Sequence, residues 1–239
     1  MNSLPRTGAA VFFDVLTDLG VEYIFGHTGG AVIPLHVELS KRMKRGEPVP
    51  RFILCRQEGG AGHAAEGFAR VSGRPGVALS TSGPGATNLT TPIADAYKDS
   101  IPTVFITGQV PSAAIGTDAF QEVDTLGITR SITKHNYLVK DVRDLEWMLR
   151  EAFELAAHGR PGPVLVDICK DAQLARTAEQ NPPRKRHRPS IPFDPARADA
   201  ILDALIEAER PVVKAGGGII SADAADELRA FVERFDVPV

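Results

Sequence analysis

The chain has 239 residues, enough for one full α/β domain and part of another. A formal net charge of −3 gives no reason to expect a nucleic-acid partner, and there is no apolar run of the ~18 residues that a membrane span needs. Met1 to Arg6 passes at once into helix-like sequence, leaving no room for a signal or long transit peptide, so a cytoplasmic location is expected. In chain order, the apolar periodicities predict helix 7–19, strand 22–25, helix 31–44, strand 51–55, helix 59–72, strand 76–81, helix 85–98 and strand 102–107. An irregular stretch follows, then strand 136–140, helix 144–158 and strand 163–168. Such alternation specifies an α/β fold with a parallel sheet flanked by helices.

The rhythm breaks at 171–193, where Asn181-Pro182-Pro183-Arg184-Lys185-Arg186-His187-Arg188-Pro189 reads as a proline-rich, basic linker. The pattern then restarts with helix 195–208, strand 211–215, the triplet Gly216-Gly217-Gly218 and helix 222–234. The expected organisation is a first domain over 1–175, a linker over 176–193, and the beginning of a second α/β domain over 194–239, truncated within it. Cys55 and Cys169 close predicted strands and read as buried free thiols. The six histidines have no metal-ligand spacing with one another or with the cysteines, so no metal site is predicted in this chain.

Chemistry concentrates where strands hand over to helices. Phe52 to Cys55 is a short apolar segment of the kind that fills a parallel sheet. It runs into Arg56-Gln57-Glu58-Gly59-Gly60-Ala61-Gly62-His63-Ala64-Ala65, which puts the Glu58 carboxylate at a strand tip with small residues behind it. In open α/β sheets ligands bind at the carboxyl ends of strands. A solvated glutamate opening a helix, favoured by the helix dipole, is the bland alternative for Glu58. The next strand runs into Thr81-Ser82-Gly83-Pro84-Gly85-Ala86-Thr87-Asn88, a glycine loop that is neither a Walker loop nor a dinucleotide fingerprint.

These motifs, followed in order by Thr107-Gly108-Gln109-Val110-Pro111, Gly116-Thr117-Asp118-Ala119-Phe120-Gln121-Glu122 and Gly159-Arg160-Pro161-Gly162-Pro163-Val164, resemble the large catalytic subunits of acetolactate synthases. Those belong to the thiamine diphosphate enzyme superfamily. The resemblance is close over 7–175 and looser over 194–239. It implies the pyrimidine-binding fold for the first domain and an FAD-associated middle domain for the second. By motif, Glu58 matches the glutamate that hydrogen-bonds ring nitrogen N1′ of the cofactor's aminopyrimidine and favours its imino tautomer. Thr28, Gly29 and Gly30 match the turn beside the cofactor, with His27 and Thr28 replacing the usual tyrosine and proline. Gln57 stands where histidine is common, and Gly59 where glutamine is.

Gly83 and Pro84 are expected to pack against the pyrimidine. Asn88 reads equally as a partner for buried groups and as a plain helix residue. The resemblance assigns Phe120 to the substrate approach and Gln121 to hydrogen bonds with intermediates, making Glu58 and Gln121 the expected catalytic pair. It puts Gln109 near the subunit seam and Arg160 in reach of FAD. Thiamine diphosphate, FAD and magnesium are the implied cofactors, with the magnesium ligands outside this chain.

The implied reaction joins two 2-oxo acids, pyruvate among them, with loss of carbon dioxide, in branched-chain amino acid synthesis. A homodimer or tetramer with sites between subunits, and a regulatory small subunit, come with the family. The 239-residue chain alone is expected to be inactive. Two other readings stay open: another thiamine diphosphate-dependent decarboxylase, carboligase or acetyltransferase, and a cofactor-less interaction domain.

Overall fold

The computed structural model describes residues 4–181 and 193–239. The chain divides into two compact units, Met1–Arg184 and Lys185–Val239. The first unit opens with β1 (Arg6–Thr7), α1 (Gly8–Asp18), β2 (Tyr23–Gly26), α2 (Ile33–Arg45), β3 (Arg51–Leu54) and α3 (Glu58–Ser72). It continues through β4 (Gly76–Ser80), α4 (Pro84–Thr87), α5 (Thr90–Asp99), β5 (Thr103–Gln109) and α6 (Thr125–Thr129). It ends with β6 (His135–Val139), α7 (Leu145–Ala157), β7 (Pro163–Cys169), α8 (Lys170–Leu174) and β8 (Arg176–Thr177).

Six strands form one sheet in the order β3-β2-β4-β5-β7-β6, and every neighbouring pair is parallel. The small β8 strand, within the residues expected to form a linker, pairs antiparallel with β1. The run Pro182–Pro189 lies outside the described residues.

Strand period two distributes the core to both faces of the sheet. Val104, Ile106, Val164, Val166 and Ile168 join Phe12, Leu16 and Leu149 on one side. Phe105 and Leu165 join Ala65, Ile93 and Ala96 on the other. All residues of β4, β5 and β7 are buried, as the near-continuous apolar runs demand. The segment Phe52–Cys55 departs from expectation: β3 is an edge strand, and Leu54 is 64% exposed.

The helix expected over 85–98 is two helices. Leu89 turns fully into the core at the joint, and the Thr90 hydroxyl donates to the Thr87 carbonyl at 2.7 Å. The irregular stretch after β5 contains the short α6, whose first turn is capped by Asp124 accepting from the Gly127 amide at 2.9 Å.

The second unit holds α9 (Pro195–Glu207), α10 (Gly217–Ser221) and α11 (Ala225–Phe235). Asp194 caps α9, accepting from the Ala196 amide at 3.1 Å. The strand expected over 211–215 does not form. Its backbone meets another extended segment at one hydrogen bond, from the Val213 amide to the Pro238 carbonyl at 2.9 Å, too little for a ladder. The helix expected over 222–234 begins three residues later, after the separate turn of α10.

Candidate functional site

The sheet order reverses at β2. The chain leaves β2 through α2 to reach β3, then crosses through α3 to β4 on the other side of β2. That is a topological switch point, and the crevice at its carboxyl end is where open α/β sheets bind ligands. Three chain segments enter it: the turn after β2, the start of α3 after β3, and the loop after β4.

Glu58 is the first residue of α3. Gln57 precedes it as the cap, its side-chain oxygen accepting from the Gly60 amide at 2.7 Å. Asn88 donates from Nδ2 to Glu58 Oε2 at 2.9 Å, so the joint between α4 and α5 orients the carboxylate. Oε1 lies against the Gly85 backbone, where a Cβ would come within 3.4 Å of it. One carboxylate oxygen is thus held by the protein, while the other borders a position kept free of side chain. The positive end of the α3 dipole adds to the field at this carboxylate.

The turn after β2 is fastened to the same place. The Ala31 amide donates to Thr81 Oγ1 at 3.1 Å, and a Cβ on Gly29 would sit 2.4 Å from Thr81 Cβ. Thr28 and Gly30 flank that contact and are exposed. His27 Nδ1 pairs with the Cys55 carbonyl at 2.7 Å, tying the ends of β2 and β3 together.

Gly83 adopts φ +58°, and a Cβ there would approach Gln121 Cα to 2.8 Å, so the residue must be glycine for Gln121 to close on the loop. Gln121 is itself left-handed at φ +59°. Phe120 beside it is 88% exposed. Pro84 opens α4 next to the same contact.

Thr28, Gly29, Gly30, Glu58, Gly83, Pro84, Asn88, Phe120 and Gln121 therefore belong to segments that meet at the carboxyl end of the sheet. Arg160 does not join them. It precedes β7, and its Nε donates to Ser100 Oγ at 2.7 Å just before β5, at the amino end of the strands. Gln109 is buried inside the unit rather than displayed on its surface.

His63 meets partners its sequence spacing did not suggest. Its Nδ1 lies 2.9 Å from Glu66 Oε2 and 3.6 Å from Asp95 Oδ2, while Arg70 reaches Glu66 Oε1 at 3.5 Å. Burial pushes the Glu66 carboxyl up, and the His63 bond opposes this. The cluster is a polar network between α3 and α5 with the Arg70 guanidinium at one side.

Sequence reasoning passed over Asp167. It sits in the middle of β7 with no exposure, and burial drives its carboxyl up to about 7 against the hydroxyls of Thr107 and Thr125 and the Gln109 amide. The signal was an acid inside the apolar run Val164-Leu165-Val166-Asp167-Ile168. Cys169 is fully buried and its thiol is pushed up to about 12, mainly by burial, which removes it as a nucleophile near neutral pH.

Fold and site together define a cofactor-binding α/β domain, and comparison with known proteins gives its class. Residues 6–128, more than half of the chain, match the family described as "Thiamine pyrophosphate enzyme, N-terminal TPP binding domain" (thiamine pyrophosphate is thiamine diphosphate), and residues 198–239 match that enzyme's central domain. The chain belongs to the thiamine pyrophosphate enzymes.

Its relatives narrow the class further. The chain is 49% identical over 236 residues to the acetolactate synthase large subunit of Corynebacterium glutamicum, covering 98% of this chain and 37% of that protein. It is 46% identical over 241 residues to the chloroplastic acetolactate synthase of Arabidopsis thaliana, covering 98% and 35%. To the mitochondrial acetolactate synthase catalytic subunit of Saccharomyces cerevisiae it is 44% identical over 246 residues, again 98% and 35%. It spans little more than a third of the length of these curated relatives.

Proposed function

We propose that this chain supplies the pyrimidine-binding half of an acetolactate synthase active site. The full-length protein would condense two 2-oxo acids, pyruvate among them, with loss of carbon dioxide, toward valine, leucine and isoleucine. The observation that carries this reading is the Glu58 carboxylate at the switch point, with Oε2 held by Asn88 at 2.9 Å and Oε1 left beside the bare Cα of Gly85.

The residues present fit an aminopyrimidine. A carboxyl with one free oxygen can share a proton with a weak ring base, and glycine at 83 and 85 lets Gln121 and Thr81 pack closely against the loop that borders it. When bound, thiamine diphosphate supplies the carbanion chemistry. Glu58 would hold the proton at N1′, and Asn88 would keep Oε2 from turning away. The turn Thr28-Gly29-Gly30, fastened through Ala31 to Thr81, and the residues Gly83 and Pro84 would line the ring's surroundings. Gln121 would present its amide to the reacting 2-oxo acid, with Phe120 shaping the approach.

The full-length protein would assemble as a homodimer or tetramer with a neighbouring subunit over this edge, where Phe120 is 88% exposed. Magnesium and the diphosphate are assigned to a C-terminal domain of the full-length protein, and FAD to its middle domain. Arg160 offers FAD a guanidinium at the amino end of the strands, remote from Glu58. The free thiols Cys55 and Cys169 are in keeping with a reducing, cytoplasmic location, and no helix among the described residues is long and apolar enough to cross a membrane.

The test is an assay of the full-length protein with pyruvate, thiamine diphosphate, magnesium and FAD, with acetolactate detected as acetoin. Cofactor-dependent acetolactate is the expected result. Glu58→Gln should lower turnover by about 10²–10⁴-fold, the usual worth of a general acid–base group. Full turnover in that variant would remove the proton role. Thiamine-dependent consumption of a different 2-oxo acid would move the protein to a sister activity and keep the Glu58 chemistry.

A further inference from the structure

The segment Gly116–Glu122, which bears Phe120 and Gln121, is built of turns and belongs to no helix or strand. Two devices hold it. The Glu122 carboxylate gathers the loop's own amides, accepting from Gly116 and from Ala119, and these bonds hold its carboxyl below the usual range. That contact gives the loop its shape. It does not fix where the loop sits on the sheet.

The second device does. The Val123 carbonyl, two residues after Gln121, accepts from Gln109 Nε2 at 2.9 Å. The same Nε2 donates to Asp167 Oδ2 at 2.9 Å, and Gln109 Oε1 accepts from the Val110 amide at 2.9 Å. Both amide protons and the amide oxygen of Gln109 are therefore engaged, which leaves its side chain one orientation. Asp167 Oδ1 accepts from the Thr107 hydroxyl at 2.7 Å, across the register pair Thr107↔Asp167.

We propose that Asp167, acting through Gln109, is a positioning residue for the loop that carries Phe120 and Gln121. The buried carboxylate on β7 turns the Gln109 amide toward the Val123 carbonyl, and the tethered carbonyl sets Gln121 against Gly83. The inference rests on the reading that Gln121 serves the Glu58 site.

The sheet itself has no need of this carboxylate. β5 and β7 already pair over the whole register from Thr103↔Pro163 to Gln109↔Cys169. Val164, Leu165, Val166 and Ile168 show that the strand packs with apolar side chains. A buried carboxyl is costly unless its oxygens are bonded, and its partners here are Thr107 and Gln109 on β5, the second leading onward to the loop, and the Thr125 hydroxyl just beyond the loop. What the acid adds is the direction of one amide.

The test uses the full-length protein and three variants. Gln109→Met keeps the length and shape of the side chain and cuts the tether. Asp167→Leu cuts it from the other end. Asp167→Asn preserves an oxygen for Gln109 Nε2 and offers its amide to the Thr107 hydroxyl.

In Gln109→Met, amide hydrogen exchange over Gly116–Thr125 should rise on the order of tenfold, with β4 and β5 unchanged. Its kcat/KM for acetolactate formation should fall about a hundredfold, the scale of a misplaced substrate-positioning group. Thiamine diphosphate affinity should stay near wild type, while the melting temperature should fall by a few degrees because Asp167 Oδ2 and the Val110 amide lose a buried partner. Asp167→Leu should reproduce the loss and Asp167→Asn should recover it.

Loop exchange unchanged in Gln109→Met, a rise spread evenly over the molecule, or a loosened loop with wild-type kcat/KM would each overturn the proposal. The exchange measurement needs no substrate. A wild-type protein that makes no acetolactate would count against the functional reading, while loop exchange separately decides whether Gln109 tethers the loop.

Discussion

The Asn88 amide and the Glu58 carboxylate are bonded side chain to side chain at the proposed site, and their chemistry is asymmetric. Asn88 donates from Nδ2 and leaves Glu58 Oε1 for another partner. Asn88→Ala removes a hydrogen bond to an ionisable group, worth about 1.5–3 kcal/mol when intact. The variant should bind thiamine diphosphate more weakly and turn over about tenfold more slowly. Asn88→Asp should do worse, because it sets a second carboxylate against Glu58 where the amide now donates. A pair of rate measurements at fixed cofactor checks the order: Asn88→Asp below Asn88→Ala below wild type. The opposite order would mean that Asn88 does not act through the bond it donates to Glu58.

At the scale of elements, the small residues behind Glu58 have a mechanical purpose. Gly62 lies so close to α5 that a Cβ would stand 2.4 Å from Pro92 and 3.3 Å from the Phe105 ring. Ala61, Ala65 and Ala69 are buried along the same helix. This close approach sets α3 down on β4 and α5, and so sets the distance between Glu58 at the head of α3 and Asn88 before α5. Gly62→Val overpacks the contact, and overpacking costs about 1–3 kcal/mol. The melting temperature should fall by several degrees, and the rate should fall further than the lost stability accounts for, since the helix must move away from Asn88. Equal effects on both would assign Gly62 to packing alone.

Much of this layer was legible beforehand. The helix–strand alternation gave the parallel sheet, and the glycine and alanine pattern after Glu58 gave the strand-to-helix turn at its carboxyl end. The break at Leu89 was not legible, because 85–98 satisfies helical periodicity throughout, while the Asn88–Glu58 bond, the Thr90–Thr87 bond and the burial of Leu89 mark the joint in space. The place of Arg160 at the amino end of the strands was not legible either, since a motif names a residue but not which end of the sheet it occupies. Asp167 was readable as a charge within an apolar strand, yet its partners Thr107 and Gln109 appear only once β5 and β7 are in register.

At the scale of the whole molecule, Asp167 couples folding to pH. Its carboxyl rises from 3.8 to about 7 on folding because burial disfavours the charged form. A group with a raised folded value binds its proton more tightly in the native state. Its contribution to stability is therefore fully present below about pH 4 and is lost as pH climbs through about 7. Asp167→Asn does not titrate and retains partners for Thr107 and Gln109, so it isolates this contribution.

The variant should gain stability relative to wild type as pH rises. Between pH 5 and pH 8 the gain should be roughly 2–3 kcal/mol, since each tenfold change in proton affinity corresponds to about 1.36 kcal/mol. Thermal unfolding of both proteins at the two pH values reads it out. Other titrating groups are common to both and cancel in the difference. A difference that stays constant with pH would mean that Asp167 holds its charge in the folded protein, with the Thr107 and Gln109 bonds fully offsetting the cost of burial. The loop tether would then rest on a permanent carboxylate, and the exchange of Gly116–Thr125 in wild type should not respond to pH beyond the intrinsic chemistry of amide exchange.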